Sequence, residues 1–526
     1  MSRLVVFVLA FAVVLAFAPA VAQAIPRGED GEKTQAASLA VGELRVERAA
    51  ELIDDVARRH ERDPDVRAVR AMVHFHRGNY TAAAHDMEAA VQDRSSPAYG
   101  ERRALLELIR ATDQATRNYA TETSTDGRYI IRYSPGRDEA LLPYAFEALR
   151  RADEALARDI GLRVPGPIRL EIYPSARGLA QVSSLSVEEI ERTGTIALCK
   201  WDRLMVTSPR ALLRGYPWVD TIGHEFVHLV LARASHDHAP VWFQEGVAKY
   251  LERRWRGEAA SAHLEPTAQA LLHRAVRDGE LLSFDDLHPS IARLPSQEHA
   301  ALAFAQVATF IETFVDQHGI GVLRDAISQM ATGVDARDAL AAASGQAFGR
   351  LEQGWRNGLR SLSAPADPPR QTVLRFAHAG AEADEAEEVS ADARRFFRLG
   401  NMLYDRSRPR AAAVEYQRAL ALAPDEPLIA SRLGRAALEG GDPRRATDAL
   451  RGLADRYPTH APTQAVFGSA LVAQGEASAG RRVLREAIWL NPFDPQPHCY
   501  LVLAAENESE ERRERRLCTF LGGAVP

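Results

Sequence analysis

The chain has 526 residues, 46% of them hydrophobic and 26% charged, a balance that suits soluble globular packing and a length that implies about three structural units. Its formal net charge of −6 is small for that length and calls for neither a nucleic-acid partner nor an anionic membrane surface. At the N-terminus, Arg3 precedes an apolar run from Leu4 to Phe17, followed by Pro19 and the small residues Ala20, Ala22 and Ala24. That order predicts a signal peptide over residues 1–24 and an exported protein, periplasmic or extracellular. An uncleaved N-terminal anchor is the one membrane association left open, because no later run is long enough to span a bilayer.

Residues 35–120 read as helical. Gly78-Asn79-Tyr80 followed by Ala83, Met87 and Ala90 has the spacing of a second helix in a hairpin, and Ala49 to Arg59 supplies a neighbouring helix. From residue 125 the texture changes to short alternating runs that predict strands. Tyr129, Ile131 and Tyr133 form one, and Ile168, Leu170 and Ile172 another. Thr195 to Lys200 with Arg203 to Thr207 predicts a hairpin turning at Trp201-Asp202. A helix over Pro217 to Arg233 follows, then further helices to Leu362. Residues 363–391, rich in Pro, Ala, Asp and Glu, read as a linker, with the acidic stretch Glu382 to Glu388 as a solvated spacer.

Beyond the linker the chain repeats itself. Gly400, Gly434 and Gly468 are 34 residues apart, as are Pro424, Pro458 and Pro492. Small residues recur at Ala412, Ala446 and Gly480, and larger ones at Tyr416, Leu450 and Leu484. This pattern resembles the tetratricopeptide repeat family, whose helical hairpins have that period. The resemblance implies an all-α repeat segment over 392–505 that binds a protein partner, with 506–526 as a tail. Of the three cysteines, a bridge between Cys499 and Cys518 is open, and Cys199 has no neighbours that mark a nucleophile.

The chemistry concentrates in His224-Glu225-Phe226-Val227-His228. On a helix the two histidines stand one turn apart and can point at one metal ion, while Glu225 is turned toward its water. A second helix opening at Pro240 carries Glu245 among aromatic residues, where a charge needs a partner. Zinc held by His224, His228 and Glu245 would be that partner, with a fourth position left open. The metzincin alternative needs glycine at 231 and histidine at 234, where this chain has Leu231 and Ala234. His236 and His238 remain as rival ligands in the connection between the helices.

Thr221 to Leu231 with Val241 to Leu251 resembles the gluzincin branch of zinc metallopeptidases, in particular the peptidase MA-like domains that accompany tetratricopeptide repeats. The likeness runs from about Tyr129 to Leu362. It implies an α+β zincin-like catalytic domain over 125–362, a small mixed sheet plus helices, flanked by all-α repeat segments. It also implies peptide or protein substrates, hydrolysis by a zinc-activated water with Glu225 as general base, and an edge strand beside the cleft from the hairpin ending at Met205-Val206. Such domains often place a tyrosine on a later helix as an oxyanion donor; here that stretch holds Phe304, so His299 or Tyr250 becomes the candidate donor. The alternative function is a secreted repeat scaffold whose zincin domain is catalytically weak.

Overall fold

The computed structural model describes residues 28–257, 259, 261–262, 264–287, 294, 297–361 and 374–526. The proposed signal peptide and residues 363–373 of the predicted linker lie outside the described residues. The chain divides into two units, one made of residues up to 135, 144–207 and 220–368, the other of 136–143, 208–219 and 369 onward.

In the first unit, apolar alternation produces a five-stranded sheet: β1 (Ala120–Thr123), β2 (Tyr129–Tyr133), β3 (Ile168–Tyr173), β4 (Ala197–Lys200) and β5 (Arg203–Thr207). The order is β1-β2-β3-β5-β4, with β2, β3 and β5 parallel and both outer strands antiparallel. Ile131, Ile168, Leu170, Ile172 and Leu204 are fully buried, so the sheet's apolar positions make the core. Trp201 and Asp202 both take left-handed backbone angles, φ 52° and 60°, which closes the two-residue turn between β4 and β5 with the twist that antiparallel strands need. The hairpin supplies an edge strand as expected: β4 is outermost in the sheet, while Met205 and Val206 lie on β5, which is paired on both sides. Strand β1 escaped the sequence reading because its four residues are partly or fully exposed and show no apolar alternation.

The N-terminal helices, among them Pro64–His76 and Tyr80–Ala90, join this same unit through a buried polar cluster. Tyr80 donates a hydrogen bond to Glu171 of β3 at 2.5 Å, Tyr173 donates to the same carboxylate, and Arg203 donates to the Tyr80 hydroxyl. The Arg203 guanidinium is fully buried and lies over the rings of Phe75, Tyr80 and Trp201 at 4.9, 5.0 and 5.6 Å. Burial would raise the Glu171 carboxyl, but Arg203 and Arg132 hold it below its ordinary value. A desolvated ion pair of this kind is costly to break from one side, because the surviving charge stays buried without its partner.

The second unit shows the predicted period directly. First helices begin at Pro427, Ala461 and Pro495 and second helices at Pro409, Pro443 and Ala477. The recurring glycines permit the close packing of each hairpin: a Cβ on Gly400, Gly434 or Gly468 would come within 2.5–2.8 Å of Tyr416, Leu450 or Leu484 respectively. Cys499 and Cys518 are joined in a disulfide across the last hairpin. Two short segments from earlier in the chain complete the unit. Ser208 and Arg210 both donate to the buried Asp138 carboxylate at 2.7–2.9 Å, the Tyr216 amide donates to the Leu490 carbonyl at 2.9 Å, and the Trp218 indole donates to the Ile488 carbonyl at 3.1 Å.

The acidic stretch read as a spacer is instead a helix, Ala381–Glu387, in this unit. Arg214, Arg375, Arg394 and Arg398 pair with Glu385, Glu388 and Glu387, and these cations converge from segments far apart in sequence. Among the described residues no helix is long and apolar enough to cross a membrane.

Replacing Arg203 by Ala strips Glu171 of a buried counter-charge and is expected to lower the unfolding free energy by about 3–5 kcal/mol. Denaturant midpoints measure it; a loss under about 1 kcal/mol would show the pair behaving as a surface one.

Candidate metal centre

The motif lies on the helix Trp218–Ala234, and the next helix, Val241–Leu251, starts just after Pro240. The second helix is fixed by Trp242, whose ring packs edge-on against Phe284 and Phe310 at 5.0 and 6.2 Å. Two glycines let the helices approach. A Cβ on Gly223, the residue before His224, would stand 2.4 Å from the Glu252 carbonyl oxygen. One on Gly246, the residue after Glu245, would stand 2.8 Å from the Val307 carbonyl oxygen and 2.7 Å from Ile311 on the helix Gln297–His318. Any side chain at either place forces backbone apart beside a candidate ligand.

This packing brings His224, His228 and Glu245 together, all buried, and they form the cluster of metal-ligating groups found among the described residues. Nε2 of His224, Nε2 of His228 and Oε2 of Glu245 make a triangle with sides of 3.1, 3.3 and 3.4 Å. Three ligands about 2.0–2.1 Å from a tetrahedral centre stand about 3.3–3.4 Å apart, so the triangle has the size that such an ion requires. Both carboxylate oxygens of Glu225, also fully buried, are without a hydrogen-bond partner among the described residues.

One residue of the centre was missed by the sequence reading. Glu252 accepts a hydrogen bond from His224 Nδ1 at 3.1 Å and from Lys249 Nζ at 2.8 Å, so it fixes the imidazole with Nε2 aimed into the triangle. Its signal was available: Glu245, Lys249 and Glu252 lie four and seven residues along one helical face. Glu225, Glu245 and Glu252 bring three carboxylates to the site against the single ammonium of Lys249. The surplus of two negative charges is what one divalent cation cancels, provided both imidazoles are neutral ligands.

The surplus negative charge is visible in the electrostatics of the metal-free site. Burial pushes Glu225 up to about 7, although His228 and His224 pull it back. Burial alone would lower His224, yet hydrogen bonds and charge from Glu245 and Glu252 hold it at about 9. Glu245 is raised by burial and held below its ordinary value overall by His228 and His224. Glu252, also desolvated, is brought down to about 2 by Lys249 and His224.

The other sequence candidates lie elsewhere. His236 and His238 turn Nδ1 toward the Ala331 and Met330 carbonyls at 3.3 and 3.2 Å and are not in the ligand cluster. His299 is exposed on the first turn of Gln297–His318. Tyr250 is buried and raised to about 12, by burial first and then by Asp316 and Glu312, and none of the charges acting on it belongs to the triangle. Phe304 is buried on Gln297–His318.

Two outcomes follow from the centre's own chemistry. Glu252→Gln is expected to weaken zinc binding about 10–100-fold, measured by competition with a chelating dye; an unchanged affinity would show that His224 needs no second partner. In the metal-free protein His224 carries its proton below about 9, and a ligating imidazole must give it up. Apparent zinc affinity is therefore expected to fall about ten-fold per pH unit as pH drops below 9, and a flat profile between pH 7 and 9 would contradict it.

Among known proteins, residues 148–361 match the model of the Peptidase MA superfamily. No curated protein matches the chain. Among solved structures, yeast leukotriene A4 (LTA4) hydrolase, from Saccharomyces cerevisiae, shares 14% identity over 77% of this chain and 67% of its own, at a TM-score of 0.29. MamA shares 16% over 27% of this chain and 81% of its own, at 0.22. Scores this low establish no shared fold, and what the comparisons show is the similarity of residues 148–361 to a Peptidase MA superfamily domain.

Proposed function

We propose that this chain is an exported zinc-dependent metallopeptidase of the gluzincin type, with His224, His228 and Glu245 as zinc ligands and Glu225 as general base. The observation that carries the reading is the 3.1–3.4 Å ligand triangle beside a buried Glu225 carboxylate with neither oxygen bonded. Zinc held there supplies Lewis acidity to a water and to the scissile carbonyl. Glu225, with a proton affinity near neutrality, takes the proton of the attacking water on one carboxylate oxygen and returns it to the leaving amine. Glu252 keeps His224 oriented throughout. The free edge of β4, Ala197–Lys200, offers an extended substrate a backbone to pair with.

Export is supported by the apolar N-terminal run ending in small residues and by the Cys499–Cys518 disulfide, a bond that persists in oxidising compartments. The repeat array is the tetratricopeptide-type segment that recruits a substrate or partner. A second reading, a secreted scaffold with a weak catalytic domain, rests on Phe304 standing where an oxyanion-donating tyrosine is expected.

Cleavage profiling of a proteome-derived peptide library, paired with metal analysis, separates the two. Wild-type protein is expected to cleave, and Glu225→Gln to lose about 100-fold or more of that activity with zinc content unchanged. Full activity in Glu225→Gln would sink the mechanism. Zinc without turnover on any peptide would favour the scaffold.

A further inference from the structure

The repeat unit contains a cleft of about 430 Å³, within the size range of ligand sites, and five arginines line it: Arg137, Arg210, Arg214, Arg432 and Arg435. Only two carboxylates, Glu382 and Asp494, line it with them. Arg210 and Arg214 are engaged at short range by Asp138 and Glu385, which do not line the cleft. The other three are not. Arg432 reaches Glu382 only at 4.0 Å and Arg435 reaches Asp494 only at 3.5 Å. Arg137 is exposed, donates to the Phe493 carbonyl at 3.5 Å and lies over the Phe493 ring at 5.7 Å. Leu213 and Pro462, both partly exposed, give the same cleft an apolar wall.

We propose that this cleft is a peptide-binding site that selects acidic segments, with Arg137, Arg432 and Arg435 reading carboxylates while Leu213 and Pro462 receive an intervening apolar side chain. Guanidinium forks suit carboxylates because two N–H groups can meet two oxygens. A cluster of like-charged arginines also selects against basic sequences. The helix Ala381–Glu387 shows the same recognition within the chain, since its carboxylates are already taken by Arg214, Arg394 and Arg398. The site deepens the proposed recruiting role of the array and names the class of segment recruited.

The test uses the full-length, disulfide-bonded Glu225→Gln protein, so that binding is read without turnover and its failure is distinct from failure of the peptidase reading. A fluorescein-labelled peptide of alternating Glu and Leu is titrated by anisotropy against its Gln/Leu counterpart. The acidic probe is expected to bind about ten-fold or more tightly than the neutral one, and to lose about ten-fold on R432Q/R435Q. The exposed Arg482→Gln, outside the cleft, is expected to leave it unchanged. If melting curves show that R432Q/R435Q unfolds the array, Arg137→Gln decides, with a loss of about three-fold or more expected. Equal binding of the Gln peptide, no loss in the cleft variants, an equal loss in Arg482→Gln, or displacement by equimolar inorganic phosphate would each overturn the proposal.

Discussion

Three carboxylates buried within reach of two imidazoles and one ammonium are the constraint around which the candidate metal centre is organised. Charges removed from water must find compensation inside the protein. Glu252 finds it in Lys249 and His224, and Glu245 finds it in the two histidines. Glu225 has no hydrogen-bond partner among the described residues, and burial carries its carboxyl toward neutrality although His228 and His224 pull it back.

Bringing those groups together needs helices closer than ordinary side chains permit, and the sequence meets that need at two glycines adjoining the ligands. Gly223 lets the motif helix press on the Glu252 carbonyl, and Gly246 lets the following helix press on Val307 and Ile311. The aromatic packing around Trp242, Phe284 and Phe310 then stiffens the helix that carries Glu245. The geometry of the candidate metal centre is a property of backbone separation as much as of the residues that form it.

Features with a short period or a local signature were legible in the sequence. The motif helix, predicted over Pro217 to Arg233, spans Trp218–Ala234; the strands at Tyr129, Ile168, Ala197 and Arg203 lie where alternation put them, and the 34-residue repeat reappears as helix pairs. Features that depend on distant partners were not legible. The exposed strand β1 is defined by pairing with β2, which its residues do not announce. The acidic helix Ala381–Glu387 looks like a spacer until arginines from positions 214 to 398 are gathered around it. Glu252 lay between these cases: its spacing from Glu245 was readable, but its hydrogen bond to His224 depends on how two helices cross.

The repeat unit is assembled from three stretches of chain, with 136–143 and 208–219 completing what 369 onward begins. Leu212, Tyr216 and Trp218, all buried, are apolar surface that the array covers. The array is therefore not a detachable cassette. A truncation ending near residue 368 would strip the cover from those side chains and leave an adhesive patch on whatever remained. Recombination that exchanged one array for another would meet the same obstacle, so the two earlier segments and the array are constrained to change together.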